Sequence, residues 1–384
     1  MDRQKEQQIA PLWRMPFRPF FLAATSFGGL AILLWILSFH LGVNAGGIGL
    51  QWHIHEMIMG FAATIILGFV LTAAQTWTGI RTVHGRSLTL LFALWLLARL
   101  GWLLAPPLQW LGALGDVLLF CCAAAFMARM VYLARNWRNA FFVPVFLLFA
   151  LFSATYAYAL LQGNPGLAKS LQDFAFYLIV HVVLVVGGRV IPFFTDRRLR
   201  RPDTPRYAWL ELSALVSSLL FLLLIIVGAG ADEVRWAAAA VAVFNLLRWL
   251  SWKPWQSARI PLLWSLYIAY GFIIAGFAII AGQLPYSSGI HMIAVGGFGL
   301  MILAMISRVS LGHSGRPLEL PPGFSFAYIA LIVAALSRTL AALVPEYYLA
   351  CLWIAALGWI TGFGLFLYHY APILTAPRID NGPG

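Results

Sequence analysis

The feature that most constrains this sequence is its division into apolar runs by short clusters of Arg, Pro and Gly. A helix that crosses a bilayer needs roughly 20 apolar residues. Runs of that kind lie near 20–42, 52–76, 87–105, 108–133, 140–162, 169–193, 207–228, 233–252, 260–282, 287–309, 323–344 and 346–370. They are continuous and lack the short alternating strands of a membrane barrel, so they predict helices. The composition agrees: 62% of the 384 residues are hydrophobic and 10% are charged, against roughly 25% charged in soluble domains. So few charges cannot cover a water-facing surface, and lipid must cover most of the exterior. The expectation is an all-α integral membrane protein with about twelve transmembrane helices, forming a single polytopic domain over 1–384.

The net charge of +12 points to an anionic membrane surface, not to nucleic acid, because the cations sit between apolar runs. Alternate loops on one side hold most of the Lys and Arg, while the other side receives only Lys169 and Arg235. Cationic loops stay in the cytoplasm, so both termini are expected there, in a bacterial cytoplasmic (inner) membrane. Cys121, Cys122 and Cys351 all fall in apolar runs and imply neither a disulfide framework nor a zinc knuckle. The first eighteen residues, Met1 to Arg18, contain no apolar stretch followed by a cleavage site, so no cleavable signal peptide is expected.

A faint repeat links parts of the chain. The second run leads into His84-Gly85-Arg86-Ser87-Leu88, and the tenth into His313-Ser314-Gly315-Arg316-Pro317-Leu318. The runs that follow carry Ala98-Arg99-Leu100 and Ser337-Arg338-Thr339-Leu340. The sixth run ends Gly188-Arg189-Val190, and the tenth ends Ser307-Arg308-Val309. Second, sixth and tenth run in one direction, which suggests three blocks of four helices.

Ionisable groups inside lipid are costly and mark function by default. Histidines stand at the start or middle of the second, sixth and tenth runs: His53 and His55, then His181, then His291. Neutral imidazole ligates haem iron and copper, and facing helices can bring such residues to one metal. His53, His55, His181 and His291 are therefore the candidate metal ligands. Two positions apart on a helix, His53 and His55 cannot face the same metal. Glu56 shares a helical face with His53 and could orient it; it is also the nearest carboxylate for carrying protons. Glycines beside these histidines could admit a flat macrocycle, although close helix packing is the commoner use of glycine in membranes. Arg189, Arg308, Arg99 and Arg338 lie within runs and could clamp haem propionates; for Arg189 and Arg308, headgroup anchoring competes.

Five ordered segments resemble the NnrS family: Phe17-Arg18-Pro19-Phe20-Phe21; Trp52-His53-Ile54-His55-Glu56-Met57; Leu71-Thr72-Ala73 leading to Trp77-Thr78-Gly79; Gly187-Gly188-Arg189-Val190-Ile191-Pro192; and Ser307-Arg308-Val309 through Gly315-Arg316-Pro317. The resemblance covers nearly the whole chain. It implies a twelve-helix cytoplasmic-membrane protein that contains haem and copper and acts in nitric oxide metabolism and resistance to nitrosative stress. A second likeness, to the core subunit of haem-copper oxidases and nitric oxide reductases, rests on the three-block pattern with histidines on helices two, six and ten. It is broken by the seventh run, which has no histidine.

Together these expectations describe a haem b protein that binds nitric oxide or passes electrons. His55 would hold the haem with His291 or His181, and copper would sit at His53. An electron donor would be required, and the protein could be an oxidoreductase of nitric oxide. The alternatives are a secondary transporter and an assembly factor for haem or copper.

Overall fold

The computed structural model describes residues 8–42, 47–104, 108–380 and 382, and all regular structure among them is helical. The long helices are α1 (Phe17–Leu41), α2 (Leu50–Thr78), α3 (Gly85–Trp102), α4 (Trp110–Ala134), α5 (Phe142–Leu161), α6 (Pro165–Leu199), α7 (Ala208–Ile226), α8 (Ala231–Ser251), α9 (Pro261–Ala281), α10 (Tyr286–His313), α11 (Ser325–Ala341) and α12 (Tyr348–Thr375). Among the described residues, nine helices are long and apolar enough to cross a membrane: α1, α2, α4, α5, α6, α7, α9, α10 and α12. They make this a multi-pass membrane protein. Of the others, α3 carries Arg86 and Arg99, α8 carries Asp232, Glu233, Arg235 and Arg248, and α11 has only 17 residues.

The helices are amphipathic in the reverse of the water-soluble sense. On α7, Leu212, Val216, Leu219, Leu223 and Ile226 are exposed, while Ser217 and Ser218 are buried. Arg18, His55, Glu56, Arg99, Asp116 and Arg248 are buried as well. Apolar surface turned outward suits lipid, and polar groups turned inward can find partners that lipid would not supply.

The chain divides into two compact units. Met1–Ala175, Ile306–Leu318 and Phe366–Gly384 form the first; Phe176–Met305 and Glu319–Leu365 form the second. In the first unit, α3 and α4 touch backbone to backbone. A Cβ on Gly115 would come 2.7 Å from the Ala98 nitrogen, and one on Gly112 would come 2.7 Å from the Trp102 ring. Small residues permit this approach, and it sets Arg99 of α3 beside Asp116 of α4. In the second unit, α9 and α10 approach through Gly276 and Gly289, where an added Cβ would lie 2.8 Å and 3.0 Å from the opposite carbonyl.

Helices α2 and α10 share an unusual construction. Each opens with an α-helical segment of 6 residues, Leu50–His55 or Tyr286–His291. A π-helical segment of 8 residues follows, Glu56–Ala63 or Met292–Gly299. Each then returns to α-helix, over Thr64–Thr78 or Leu300–His313. The wider π turn draws carbonyls away from their ordinary donors, and in α2 side chains replace those donors. The Thr64 hydroxyl donates to the Met59 carbonyl at 2.8 Å. Trp95 Nε1 donates to the Gly60 carbonyl at 3.3 Å and to the Thr64 hydroxyl at 3.0 Å. No π segment occurs in α6 among the described residues.

Candidate functional site

In the first unit the π segment of α2 begins at a buried charge cluster. The last α-helical residue is His55 and the first π residue is Glu56, both 0% exposed. Arg99 donates to Glu56 Oε2 at 2.5 Å and, through its other terminal nitrogen, to Asp116 Oδ1. Asp116 Oδ2 also accepts from Trp102 Nε1 at 2.9 Å and from the Ser153 hydroxyl at 3.2 Å. One guanidinium thus bridges two carboxylates from two helices, an arrangement that needs little water.

His55 completes the cluster. Its Nδ1 lies 2.9 Å from Glu56 Oε1. Its ring stacks with Phe152 and Tyr156, at centroid distances of 5.8 Å and 5.2 Å, and Trp102 lies 4.1 Å away. Its buried Nε2 has no hydrogen-bond partner among the described residues and sits 3.8 Å from Asp116 Oδ2. Aromatic rings thus stack on the faces of the imidazole, and Asp116 is the carboxylate beside its Nε2. Periodicity sets Glu56 on one face with His53, but in the structure Glu56 pairs with its neighbour His55. A π turn rotates successive residues less than an α turn does, so adjacent side chains lie closer in angle. His53 points elsewhere and stacks on Trp35 at 4.9 Å. The two histidines face apart, as their spacing predicts.

The second unit holds the other two candidate ligands. His291 Nδ1 lies 2.7 Å from the Ser287 carbonyl. A carbonyl only accepts, so Nδ1 carries the proton and, in the neutral ring, Nε2 carries the lone pair. His181 follows the same logic: its Nδ1 is 2.9 Å from the Ser218 hydroxyl oxygen, and that hydroxyl already donates to the Leu215 carbonyl. Histidines that bind metal commonly have the opposite nitrogen fixed in this way. The two helices are tied at Tyr177 and Tyr286, whose hydroxyls are 2.9 Å apart. His181 lies one turn beyond Tyr177, and His291 little more than a turn beyond Tyr286. The donor chemistry thus gives each imidazole an Nε2 of the kind a haem iron takes. It does not fit a three-donor copper site, because no group of three or more His, Cys, Asp or Glu among the described residues could hold a metal ion.

Of the four arginines read as propionate clamps, Arg99 is engaged by Glu56 and Asp116. Arg338 is half-buried on α11, with NH2 3.5 Å from the Ser287 hydroxyl. The Arg189 carbonyl accepts from Arg206 at 3.2 Å, and Arg308, in the first unit, is 9% exposed. The glycines near the histidines are filled by protein. An added Cβ would meet Phe27 and Arg99 at Gly60, Phe272 at Gly296, Ile273 at Gly297 and Trp359 at Gly299. They serve helix packing, the commoner role.

Sequence reasoning missed a second ion pair, one whose cation is buried. Arg248 counts with the loop cations by sequence, yet it is 1% exposed near the end of α8. It pairs with Glu211 of α7 and donates to the Leu184 carbonyl at 3.0 Å and the Tyr270 hydroxyl at 3.2 Å. Tyr270 in turn donates to Asn245 Oδ1 at 2.6 Å. The guanidinium occupies the space that a side chain at Gly188 would fill. The available signal was Gly188 itself, together with Glu211 inside an otherwise apolar run.

A bundle of apolar helices with charged residues turned inward defines a multi-pass membrane protein of the kind that carries function in its interior. The family model described as NnrS protein matches residues 11–378, and the chain belongs to the NnrS family. No curated protein matches it.

Proposed function

We propose that this chain is a haem-carrying protein of the bacterial cytoplasmic membrane that acts in nitric oxide metabolism or resistance to nitrosative stress. In this reading all twelve helices cross the bilayer and both termini are cytoplasmic. The observation that carries it is the pair His181 and His291, on helices tied together by Tyr177 and Tyr286, each with Nδ1 fixed by an oxygen acceptor. Both Nε2 atoms then suit ligation of haem b, which would supply electron transfer if held by both histidines and nitric oxide binding if held by one. His55 is assigned instead to the charge cluster of the first unit, where Glu56 and Asp116 hold it.

The link to nitric oxide rests on family membership. Nitric oxide is small and apolar enough to arrive through lipid, which the outward face of the bundle contacts. Copper, the other metal associated with this family, finds no three-donor set among the described residues.

An absorption spectrum of the detergent-purified protein tests the reading. A Soret band with stoichiometric haem is expected. It should disappear or change character in His181→Ala and in His291→Ala, and persist in His55→Ala. A colourless protein would sink the proposal and leave transport or cofactor delivery. Unchanged spectra in both of the first two variants would sink the ligand assignment.

A further inference from the structure

The shared construction of α2 and α10 invites comparison of what each π segment faces. Each is followed by a helix carrying one arginine inside its apolar stretch, Arg99 on α3 and Arg338 on α11. In the first unit the π segment opens with Glu56, which with Asp116 neutralises Arg99. In the second unit the corresponding residue is Met292, whose sulfur meets the hydroxyl of Thr339, the neighbour of Arg338, at 3.8 Å. Methionine brings no charge. Among the described residues the NH1 atom of Arg338 is buried without a hydrogen-bond partner, and NH2 reaches only the Ser287 hydroxyl at 3.5 Å. Arg338 is half-buried, but a buried cationic nitrogen without an acceptor is unfavourable, and the first unit shows the ordinary remedy. The second unit has the cation without that remedy at the corresponding position.

We infer that Arg338 and Ser287 form a binding site for a planar, singly charged oxoanion supplied from outside the chain. A carboxylate, nitrite or nitrate presents two oxygens in one plane, matching the fork of a guanidinium. The Ser287 hydroxyl oxygen lies 3.3 Å from the protonated His291 Nδ1 and 3.5 Å from Arg338 NH2, so it keeps its own proton to donate. Two sources share this chemistry: a carboxylate carried by a bound cofactor, and a free small anion. The site does not depend on haem being present, because it follows from the missing internal carboxylate.

The test is thermal unfolding of the detergent-purified protein, followed by tryptophan fluorescence, with nitrate or formate titrated against chloride at constant ionic strength. Haem-free wild type should be stabilised in a saturable way. Arg338→Met should lose the response, weakening apparent affinity by about ten- to a hundredfold. Met292→Glu restores the arrangement of the first unit; it should unfold at higher temperature than wild type without anion and lose the response. If the haem-loaded protein ignores nitrate and formate while the haem-free form responds, the oxoanion is a carboxylate of the cofactor. If both respond, it is a free anion. A haem-free wild type that does not respond, or a Met292→Glu protein that responds as wild type does, overturns the site. Loss of the Soret band in His181→Ala bears only on the haem reading, since His291, Ser287 and Arg338 are untouched there.

Discussion

At the scale of single residues, Arg99 is where the first unit is most vulnerable. Its side chain neutralises two buried carboxylates, so Arg99→Met leaves Glu56 and Asp116 facing each other without a cation. Breaking a buried ion pair from one side costs about 3–5 kcal/mol. Denaturant unfolding in micelles should show a loss of that order, and Glu56→Gln should cost less because Arg99 keeps Asp116. A wild-type midpoint for Arg99→Met would mean that the cluster is solvated after all. The sequence made the members of this cluster visible but not their pairing. Charged residues inside apolar runs announce themselves, and the spacing of His53 and His55 correctly sets them on different faces. Which residue Glu56 serves depended on a π turn, and no single side chain in Glu56–Ala63 signals one.

At the scale of elements, membrane helices lack a hydrophobic drive to associate, so close packing must supply it. The α3–α4 contact shows the consequence, since Gly115 and Ala98 bring the backbones together and thereby deliver Asp116 to Arg99. Gly115→Leu should cost at least the 1–3 kcal/mol typical of overpacking and further weaken the cluster. Gly29→Leu is the matched control, because nothing lies within 4 Å of a Cβ there; its unfolding should stay near wild type. Equal behaviour of the two variants would deny the packing role. A second element-scale prediction concerns the π turn of α2. Thr64→Val leaves the Met59 carbonyl without its hydroxyl donor, and a buried unsatisfied acceptor costs about 1–3 kcal/mol. The same substitution removes one acceptor of Trp95 Nε1, so the tryptophan emission should shift as stability falls. The positions of the nine long apolar helices were legible in the sequence, because hydropathy requires them. The doubled π construction was not, since the faint match between the second and tenth runs lay in their flanking loops.

At the scale of the whole molecule, reversed amphipathicity ties the fold to its solvent. The exposed leucines and valines of α7 are stable only against lipid, and the buried arginines are stable only where carboxylates and carbonyls meet them. Those constraints leave one freedom, the direction of insertion, and loop cations decide it. Lys169 stands among the few cations of its side, paired with Asp173 at 2.5 Å near the start of α6. Arg138 stands on the rich side, between α4 and α5. Single cysteines placed at these positions in a chain lacking Cys121, Cys122 and Cys351 should therefore differ in intact cells. A membrane-impermeant maleimide should label Lys169→Cys from outside and reach Arg138→Cys only after the membrane is opened. Labelling of both from outside would mean that α5, the one helix between the two positions, does not cross. Reversed labelling would keep the alternation and turn the molecule over, placing the charge cluster and the two-histidine pair towards the cytoplasm. The positive-inside balance opposes that outcome, because it would require the Arg197, Arg198, Arg200 and Arg201 cluster to cross the bilayer.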